Sequence, residues 1–204
     1  DIEDLGPKDM RSYSPGCGSR NTDPDLQGEL RKNFGEGVSS RIIDFASAED
    51  EFEGMYNRGW SDGLPLIPPT IERVLAMLEG TSRQPEEVVG LAPPNLVTLT
   101  VEKIAINAVM AGCKPEYLPV VITALETACT DEFNMHGLLA TTMPVGPVLF
   151  INGPIRKSLG MNSGMNLLGQ GNRANSTIGR ALQLTIRNVG GGRPAEIDRA
   201  THGS

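Results

Sequence analysis

The sequence has 204 residues, including 24 Gly and 15 Pro, so turn-forming residues are more frequent than in an average globular chain. Hydrophobic residues make up 39% and charged residues 21%, which is enough apolar material for one core and argues against disorder throughout. The net charge of −7 is opposite in sign to that of a typical nucleic-acid-binding protein. Every apolar run is too short to form a membrane-spanning helix.

Residues 1–45 are predicted to form an extended N-terminal arm, because Gly, Pro, Asp, Asn and Ser interrupt every apolar stretch before a period is established. Such an arm either moves freely or docks on the body or on a neighbouring subunit. Residues 46–204 are predicted to form the body. Its first helix is predicted over 47–57, with Ser47 as the cap and acidic residues in the first turn.

The next part of the body combines stiff turns with short elements. Three prolines make residues 60–70 a rigid extended segment, and a helix is predicted over 69–79 with Gly80 as its stop. Residues 81–98 are rich in turn formers and contain a short predicted strand at 87–91.

Two strong helices are predicted over 100–112 and 116–129 from apolar residues that recur at helical spacing. The turn between them is short enough to make the two helices packed neighbours. Residues 145–152 contain a continuous apolar run and are predicted to be a buried strand. A last helix is predicted over 176–189. The pattern as a whole predicts a helix-rich single domain with a small sheet, of the α/β class with α+β as the alternative.

The segment between residues 152 and 177 alternates Gly with Asn. Glycine permits a close approach of the backbone, and each Asn amide is both a donor and an acceptor, so the composition suits a polar ligand. The segment has neither a G-x-G-x-x-G nor a P-loop pattern, so a nucleotide site is not supported.

The end of this segment runs into the last predicted helix and forms a candidate anion site. Asn172, Arg173, Asn175 and Ser176, together with free N–H groups at the helix start, are predicted to hold a carboxylate or phosphate, and Arg180 is predicted to assist from one turn inside the helix. The alternative is a structural loop in which Asn175 caps the helix and Arg173 is solvated or ion-paired.

Three residues are candidates for catalysis. His136 is the first choice for proton transfer, with a structural imidazole as the alternative. Cys113 is a candidate nucleophile, for which the adjacent Lys114 lowers a thiol pKa and the carboxyl end of its helix opposes this, so that the two effects roughly cancel. Glu102 is a candidate acid or base. The alternative is that its position near the start of a helix only complements the helix dipole.

Further polar residues have open interpretations. Asp62 is either a site carboxylate held by the neighbouring prolines or the centre of an Asx turn. Glu126 lies beside an apolar stripe, and Arg187 is predicted to lie on a solvated, ion-paired helix face. Cys129 is predicted to be buried, whereas Cys17 has the exposed surroundings of a reactive thiol or is incidental.

The cysteine and histidine content limits the cofactors and the compartment. Three widely spaced cysteines do not form a disulfide framework, which indicates a reducing, cytoplasmic environment. The two histidines form neither an HExxH motif nor a Cys/His cluster, so no metal site is predicted from these ligands, and no cofactor is identified. A metal held by carboxylate or amide oxygens stays open.

Two long strings, RGWSDGLPLIPPT at 58–70 and VEKIAINAVMAGCKPEYLP at 101–119, resemble an uncharacterised bacterial protein family that is associated with Sec-Gly-Ser-Cys (seleno)proteins. The resemblance covers roughly residues 58–204 and implies thiol or selenol redox chemistry. It also implies that the chain is the N-terminal portion of a longer protein, and that Cys113, Glu102, Asn107 and the Asn/Arg segment line one site. The string Gly16-Cys17-Gly18-Ser19 is not the family's motif.

Together these patterns predict an enzyme, or the larger part of one, that acts on a small anionic metabolite. The reaction classes favoured are a lyase or hydratase reaction and thiol-linked redox chemistry. The alternative is a non-catalytic binding or scaffold subunit of a multi-chain complex. In both cases we expect no nucleic-acid or membrane partner, and we expect an oligomer or a second chain.

Overall fold

The computed structural model describes residues 20–21, 39–41, 43–44 and 48–203. Within this part of the chain the helices are α1 (Ala48–Asn57), α2 (Ile71–Leu78), α3 (Val101–Ala111), α4 (Leu118–Ala128), α5 (Met135–Ala140), α6 (Pro154–Ser158) and α7 (Arg173–Thr185). The strands are β1 (Arg20–Asn21), β2 (Ile43–Asp44), β3 (Val88–Ala92) and β4 (Val97–Thr100). A 3-10 turn, Pro115–Tyr117, precedes α4, and a π-helical turn, Ile186–Gly190, follows α7.

Side-chain caps define where the long helices begin. Thr70 and Thr100 accept hydrogen bonds from the third residue of α2 and α3, and Asn172 does the same for α7. Helix α3 ends at Gly112, whose φ of 88° lies in the left-handed region that favours glycine. These caps account for the boundaries that apolar periodicity alone leaves open.

The core forms around α3, which packs against α2, α4 and α7. Small residues on α3, such as Ala105 and Ala108, are fully buried, so the neighbouring helices can approach closely. Larger apolar side chains fill the space between helices, among them Ile104, Leu118, Leu125, Ile178 and Leu182.

The strands form two small antiparallel pairs. Strands β3 and β4 pair with Leu91 opposite Thr98, and an irregularity between Val88 and Gly90 shifts the register by one residue. Strands β1 and β2 pair with Asn21 opposite Ile43. The predicted helix-rich domain with a small sheet is confirmed, and the antiparallel pairing corresponds to the α+β alternative.

Residues 39–41, which lie near the end of the predicted arm, contact the body. The backbone N–H groups of Ser39 and Ser40 both donate to the carboxylate of Glu102 at the start of α3. Residues 39–41 therefore follow the docking alternative. The interpretations of Cys17 and of a Ser47 cap lie outside the described residues.

Two predicted elements are wrong in their details. Residues 145–152 are extended, but they pair with no strand in the described part of the chain, and their side chains alternate between half-buried and exposed. The last helix begins at Arg173 rather than at Ser176, because Asn172 and not Asn175 is the cap. Strand β4 was not predicted, because the turn formers around Pro93 and Asn95 hide its short apolar pattern.

Candidate functional site

The amide side chains before α7 bind the loop itself. Asn172 accepts from the N–H of Asn175 at 3.0 Å and donates to the carbonyl of Gly160 at 2.8 Å. Asn175 accepts from the N–H of Asn162 at 3.1 Å and donates to the carbonyl of Leu167 at 3.0 Å. The amides that were predicted to hold an anion therefore stabilise the fold of the segment, which is the structural alternative for this loop.

Arg173 is also occupied within the protein. Its Nε donates to the carbonyl of Gly112 at 2.9 Å, and its Nη2 lies 3.5 Å from the carbonyl of Cys113. The guanidinium thus caps the carboxyl end of α3, where a cation is favoured by the helix dipole. The hydroxyl of Ser176 makes no hydrogen bond to another described residue, and Ser176 is exposed on the first turn of α7.

Arg180 forms the best-developed ion pair of the described residues. Its Nε and Nη2 donate to the two carboxylate oxygens of Asp62 at 2.7 and 2.8 Å, and Nη2 also donates to the carbonyl of Pro65 at 3.0 Å. Burial would raise the pKa of Asp62, but the hydrogen bonds and charge of Arg180 outweigh burial and lower it. Asp62 also accepts a hydrogen bond from the N–H of Leu64, which forms an Asx turn. Because the charge of Arg180 is neutralised by Asp62, it is not available to bind a ligand.

Cys113 lies beside Arg173 but does not have the character of a reactive thiol. Its side chain is only 6% exposed, and Sγ donates to the carbonyl of Thr177 at 3.3 Å. Burial raises the pKa of Cys113 to about 11, although the Thr177 hydrogen bond and the Arg173 charge act in the opposite direction. Burial, which neither of the two opposing effects weighed from the sequence includes, therefore decides the state of Cys113, and the thiol is protonated near neutral pH.

Glu102 is buried, and its carboxylate is occupied by the docked residues. Oε2 accepts from the hydroxyl of Ser39 at 2.8 Å, and Oε1 accepts from the N–H of Ser40 at 2.7 Å. Burial would raise the pKa of Glu102, but the hydrogen bonds from both serines lower it below the usual range. Glu102 anchors these residues as a carboxylate, which is a structural role that explains its position.

The other predicted site residues lie apart from one another. His136 is exposed on α5, and no hydrogen bond or ion pair among the described residues joins it to Cys113 or Glu102. Asn107 is buried on α3, donates to the carbonyl of Lys103 at 2.8 Å and accepts from Asn188 at 2.9 Å. The structure therefore brings Cys113 and Arg173 together, but it does not place all the predicted residues around one centre.

Two of the remaining open interpretations are settled by direct contacts. Glu126 forms an ion pair with Arg83, which also binds Glu87 at 3.0 Å. Cys129 is half-buried beneath Gly90, and burial raises the pKa of its thiol. Neither group is available for the predicted chemistry in this arrangement.

Two arginine side chains with little ion pairing among the described residues lie beyond the other end of α7, around the turn that follows α1. The Nε of Arg187 donates to the carbonyl of Gly59 at 3.2 Å, and the guanidinium carbon of Arg193 lies 3.7 Å from the position of a Cβ on Gly59. Gly59 has a φ of 70°, which lies in the left-handed region that favours glycine. We call Gly59, Trp60, Arg187, Asn188 and Arg193 the Gly59 site.

Two polar atoms of the Gly59 site are buried without a partner on the described part of the chain: Oδ1 of Asn188 and Nε of Arg193. The Nδ2 of Asn188 is fully used, because it donates to the carbonyl of Trp60 at 3.1 Å as well as to Asn107. A buried acceptor and a buried donor beside one turn thus remain unsatisfied, which is costly unless a further molecule completes them.

Carboxylates contribute little to the Gly59 site. Arg187 makes no ion pair with any described residue, and the closest carboxylate oxygen of Glu196 lies 4.0 Å from Arg193 on a side chain that is 65% exposed. An exposed ion pair at that distance is weak. The site is therefore positively charged on a chain whose net charge is −7.

Sequence reasoning placed Arg187 on a solvated, ion-paired face and did not single out Arg193. A sequence signal that could indicate the Gly59 site is Arg-Gly-Trp after the first helix in combination with Gly-Gly-Gly-Arg after the last one. Gly190 permits the return of the chain, because a Cβ there would overlap the carbonyl of Pro93. Spacing along one helix cannot reveal this convergence.

No group of three or more His, Cys, Asp and Glu side chains among the described residues could hold a metal ion, and no helix there is both long and apolar enough to cross a membrane. An apolar groove of about 450 Å³ runs between α4 and the extended segment 145–152. Comparison of the sequence with protein families, curated proteins and solved structures found no match.

Proposed function

We propose that the protein binds a small anionic molecule at the Gly59 site. The observation that carries this proposal is the convergence of the Arg187 and Arg193 guanidinium groups on Gly59, with no ion pair on Arg187 among the described residues. A guanidinium presents several N–H donors in a fixed plane, a geometry that suits carboxylate and phosphate oxygens. The anion predicted from the sequence is retained, but its site is moved from the start of α7 to the region beyond its end.

The unpartnered atoms suggest what else the ligand carries. The Oδ1 of Asn188 is an acceptor, so it requires a donor such as a hydroxyl or amine group. The Nε of Arg193 is a donor and requires an acceptor such as an anionic oxygen. An anion with a neighbouring hydroxyl group supplies both, and we therefore favour a hydroxylated carboxylate or phosphate.

We propose a lyase or hydratase reaction as the activity that such binding would serve, in preference to thiol-linked redox chemistry. The protonated, buried state of Cys113 argues against a thiolate nucleophile. No hydrogen bond or ion pair among the described residues joins His136 or Glu102 to the Gly59 site, so binding is the better supported part of the proposal. We also propose a cytoplasmic location, because Cys113 and Cys129 are both free thiols.

The test is a thermal unfolding series with defined anions at constant ionic strength. Malate and succinate differ by one hydroxyl group, and inorganic phosphate and chloride complete the set. We expect malate to raise the unfolding temperature of the wild type more than succinate or chloride does. Ligand binding to the folded state at 100 times Kd corresponds to about 2.7 kcal/mol of stabilisation.

The variants Arg187→Ala and Arg193→Ala are expected to lose this stabilisation, because each removes one guanidinium from the site. Lys157→Ala is the matched control, since it removes one exposed positive charge from α6. Equal responses of all four proteins would show general ionic stabilisation and contradict the site. No response of the wild type to malate or phosphate would contradict anion binding itself.

The runner-up function, a subunit of a multi-chain complex, is favoured by a different observation. Large apolar side chains are exposed along the segment after α5 and in the loop before α7, including Phe150, Met165 and Leu168. Large exposed apolar groups are typical of interaction surfaces where they form a continuous patch.

A further inference from the structure

We propose that residues 145–152 pair in antiparallel register with the same segment of a second copy of the chain. The first observation is the unused hydrogen-bonding capacity of this backbone. The segment belongs to no helix or strand, its side chains alternate in exposure as those of an extended chain do, and none of the N–H groups of Val148, Leu149, Phe150 and Ile151 donates to an acceptor on the described part of the chain. An extended edge of this kind accepts another strand readily.

The side chains of the segment alternate as those of a strand do. Leu149 and Ile151 are half-buried, whereas Val148 and Phe150 are 66% and 87% exposed. All four side chains border the apolar groove beside α4. Every second side chain of the segment is thus packed against the body, and the two between them leave a large apolar surface exposed to solvent.

Pro147 selects one register among those that an antiparallel pair could adopt. If Leu149 lies opposite Leu149 of the second copy, Val148 lies opposite Phe150 and Pro147 opposite Ile151. Proline has no N–H, so its position must be one that does not donate to the partner strand. This makes the pairs at Leu149 and at Pro147 non-hydrogen-bonded, and the Val148–Phe150 pairs then carry the hydrogen bonds.

The same register brings complementary side chains together across the twofold axis. Each exposed Phe150 meets a Val148 of the second copy, and aromatic residues paired with β-branched residues stabilise antiparallel strands. A C2 arrangement requires such a self-complementary patch. The segment provides two identical pairs without any change in its own conformation.

The charge distribution favours a second copy over a charged partner. No Asp, Glu, Lys or Arg occurs between Glu132 and Arg156, although charged residues make up 21% of the chain. Two copies with a net charge of −7 can therefore approach along this segment without opposing like charges directly. A charged partner would find no complementary charge within it.

The first test is the molar mass in solution across a concentration series, measured by analytical ultracentrifugation. We expect a dimer for the wild type, and a dissociation constant raised at least about tenfold by Phe150→Asp, because a charge would replace the apolar pair. Leu168→Asp is the control, since Leu168 is 89% exposed and lies outside the segment. A monomeric wild type, or equal effects of the two substitutions, would overturn the proposal.

The second test determines the register by disulfide formation under mild oxidation, with the unmodified chain as the background. Leu149→Cys is expected to cross-link with its own copy, because directly opposite residues in a non-hydrogen-bonded pair have Cα atoms about 4.5 Å apart, within disulfide reach. Val148→Cys lies opposite Phe150 and is expected to cross-link far less. Equal cross-linking of both variants would overturn this register.

Discussion

The arginines within α7 and those beyond its carboxyl end are in opposite circumstances. Within the helix, Arg173 at the first position binds two carbonyl groups, and Arg180 near the middle binds Asp62 through both carboxylate oxygens. Beyond the carboxyl end, Arg187 and Arg193 converge on Gly59, and Arg187 makes no ion pair with a described residue. The first pair of arginines is bound within the fold, and the second pair forms the anion site that we propose.

The difference shows that the role of an arginine depends more on which acceptor lies next to its guanidinium than on its position along a helix. Arg180 and Arg187 are seven residues apart and lie on a similar side of the helical axis. Arg180 lies within reach of a carboxylate because the proline-rich turn after Trp60 presents Asp62 to it. Among the described residues, Arg187 donates to the carbonyl of Gly59 and forms no ion pair, so its charge is not neutralised by them.

The largest expected effect that tests this comparison is on stability. Arg180→Ala is expected to lower the free energy of unfolding by about 2 kcal/mol, because it removes the two hydrogen bonds to the Asp62 carboxylate and the hydrogen bond to the carbonyl of Pro65. Arg187→Ala is the matched control at the other end of the helix and is expected to cost less than about 1 kcal/mol. Urea unfolding of both variants measures the difference.

A reversed order, with Arg187→Ala the more destabilising substitution, would break the comparison. It would mean that the carboxyl end of α7 is a structural contact and that its positive charge is incidental. The chemical-denaturation slopes should agree among the proteins, since a changed slope would indicate a changed denatured state instead.

The second prediction concerns the pH dependence of the Asp62–Arg180 ion pair. The pKa of Asp62 is lowered in the folded state, so its stabilisation is fully present above the ordinary aspartate pKa and is lost as the pH falls through the lowered value. The expected loss is about 1 kcal/mol, because both side chains retain some exposure. Unfolding measured between pH 7 and pH 3 tests this.

Asp62→Asn provides the reference, because the acid loss of Glu102 stabilisation falls in a similar pH range and occurs in both proteins. The difference between wild type and Asp62→Asn is therefore expected to shrink towards low pH. A difference that stays constant from pH 7 to pH 3 would show that the ionised form of Asp62 contributes nothing to stability.

Most of the helical fold could be predicted because its signals are local. Thr100, the apolar spacing that follows it and the terminating Gly112 define α3 almost to the residue. The segment 145–152 shows the limit of such reasoning. Its apolar run predicts a strand, but a strand also needs a neighbour, and no neighbour pairs with it in the described part of the chain.

The candidate site was less predictable because its residues come together only through tertiary structure. The Asn and Gly content before α7 has the composition of a ligand loop, yet those amides satisfy the loop's own carbonyls, as Asn175 does with Asn162 and Leu167. Composition cannot distinguish an amide that binds its own backbone from one that binds a ligand. The Gly59 site depends on contacts between residues more than a hundred positions apart.

The smallest expected effect on stability comes from Cys113, which belongs to the structurally occupied end of α7. With its pKa raised to about 11, about one Cys113 in a thousand is a thiolate at pH 8, so a thiol-reactive probe is expected to label it on unfolding rather than in the folded protein. Cys113→Ser identifies its labelling phase and is expected to change the free energy of unfolding by no more than about 1 kcal/mol, because a hydroxyl can also donate to the carbonyl of Thr177. Rapid labelling of Cys113 in the folded protein would instead restore it as a nucleophile and move the functional centre back to the amino-terminal end of α7.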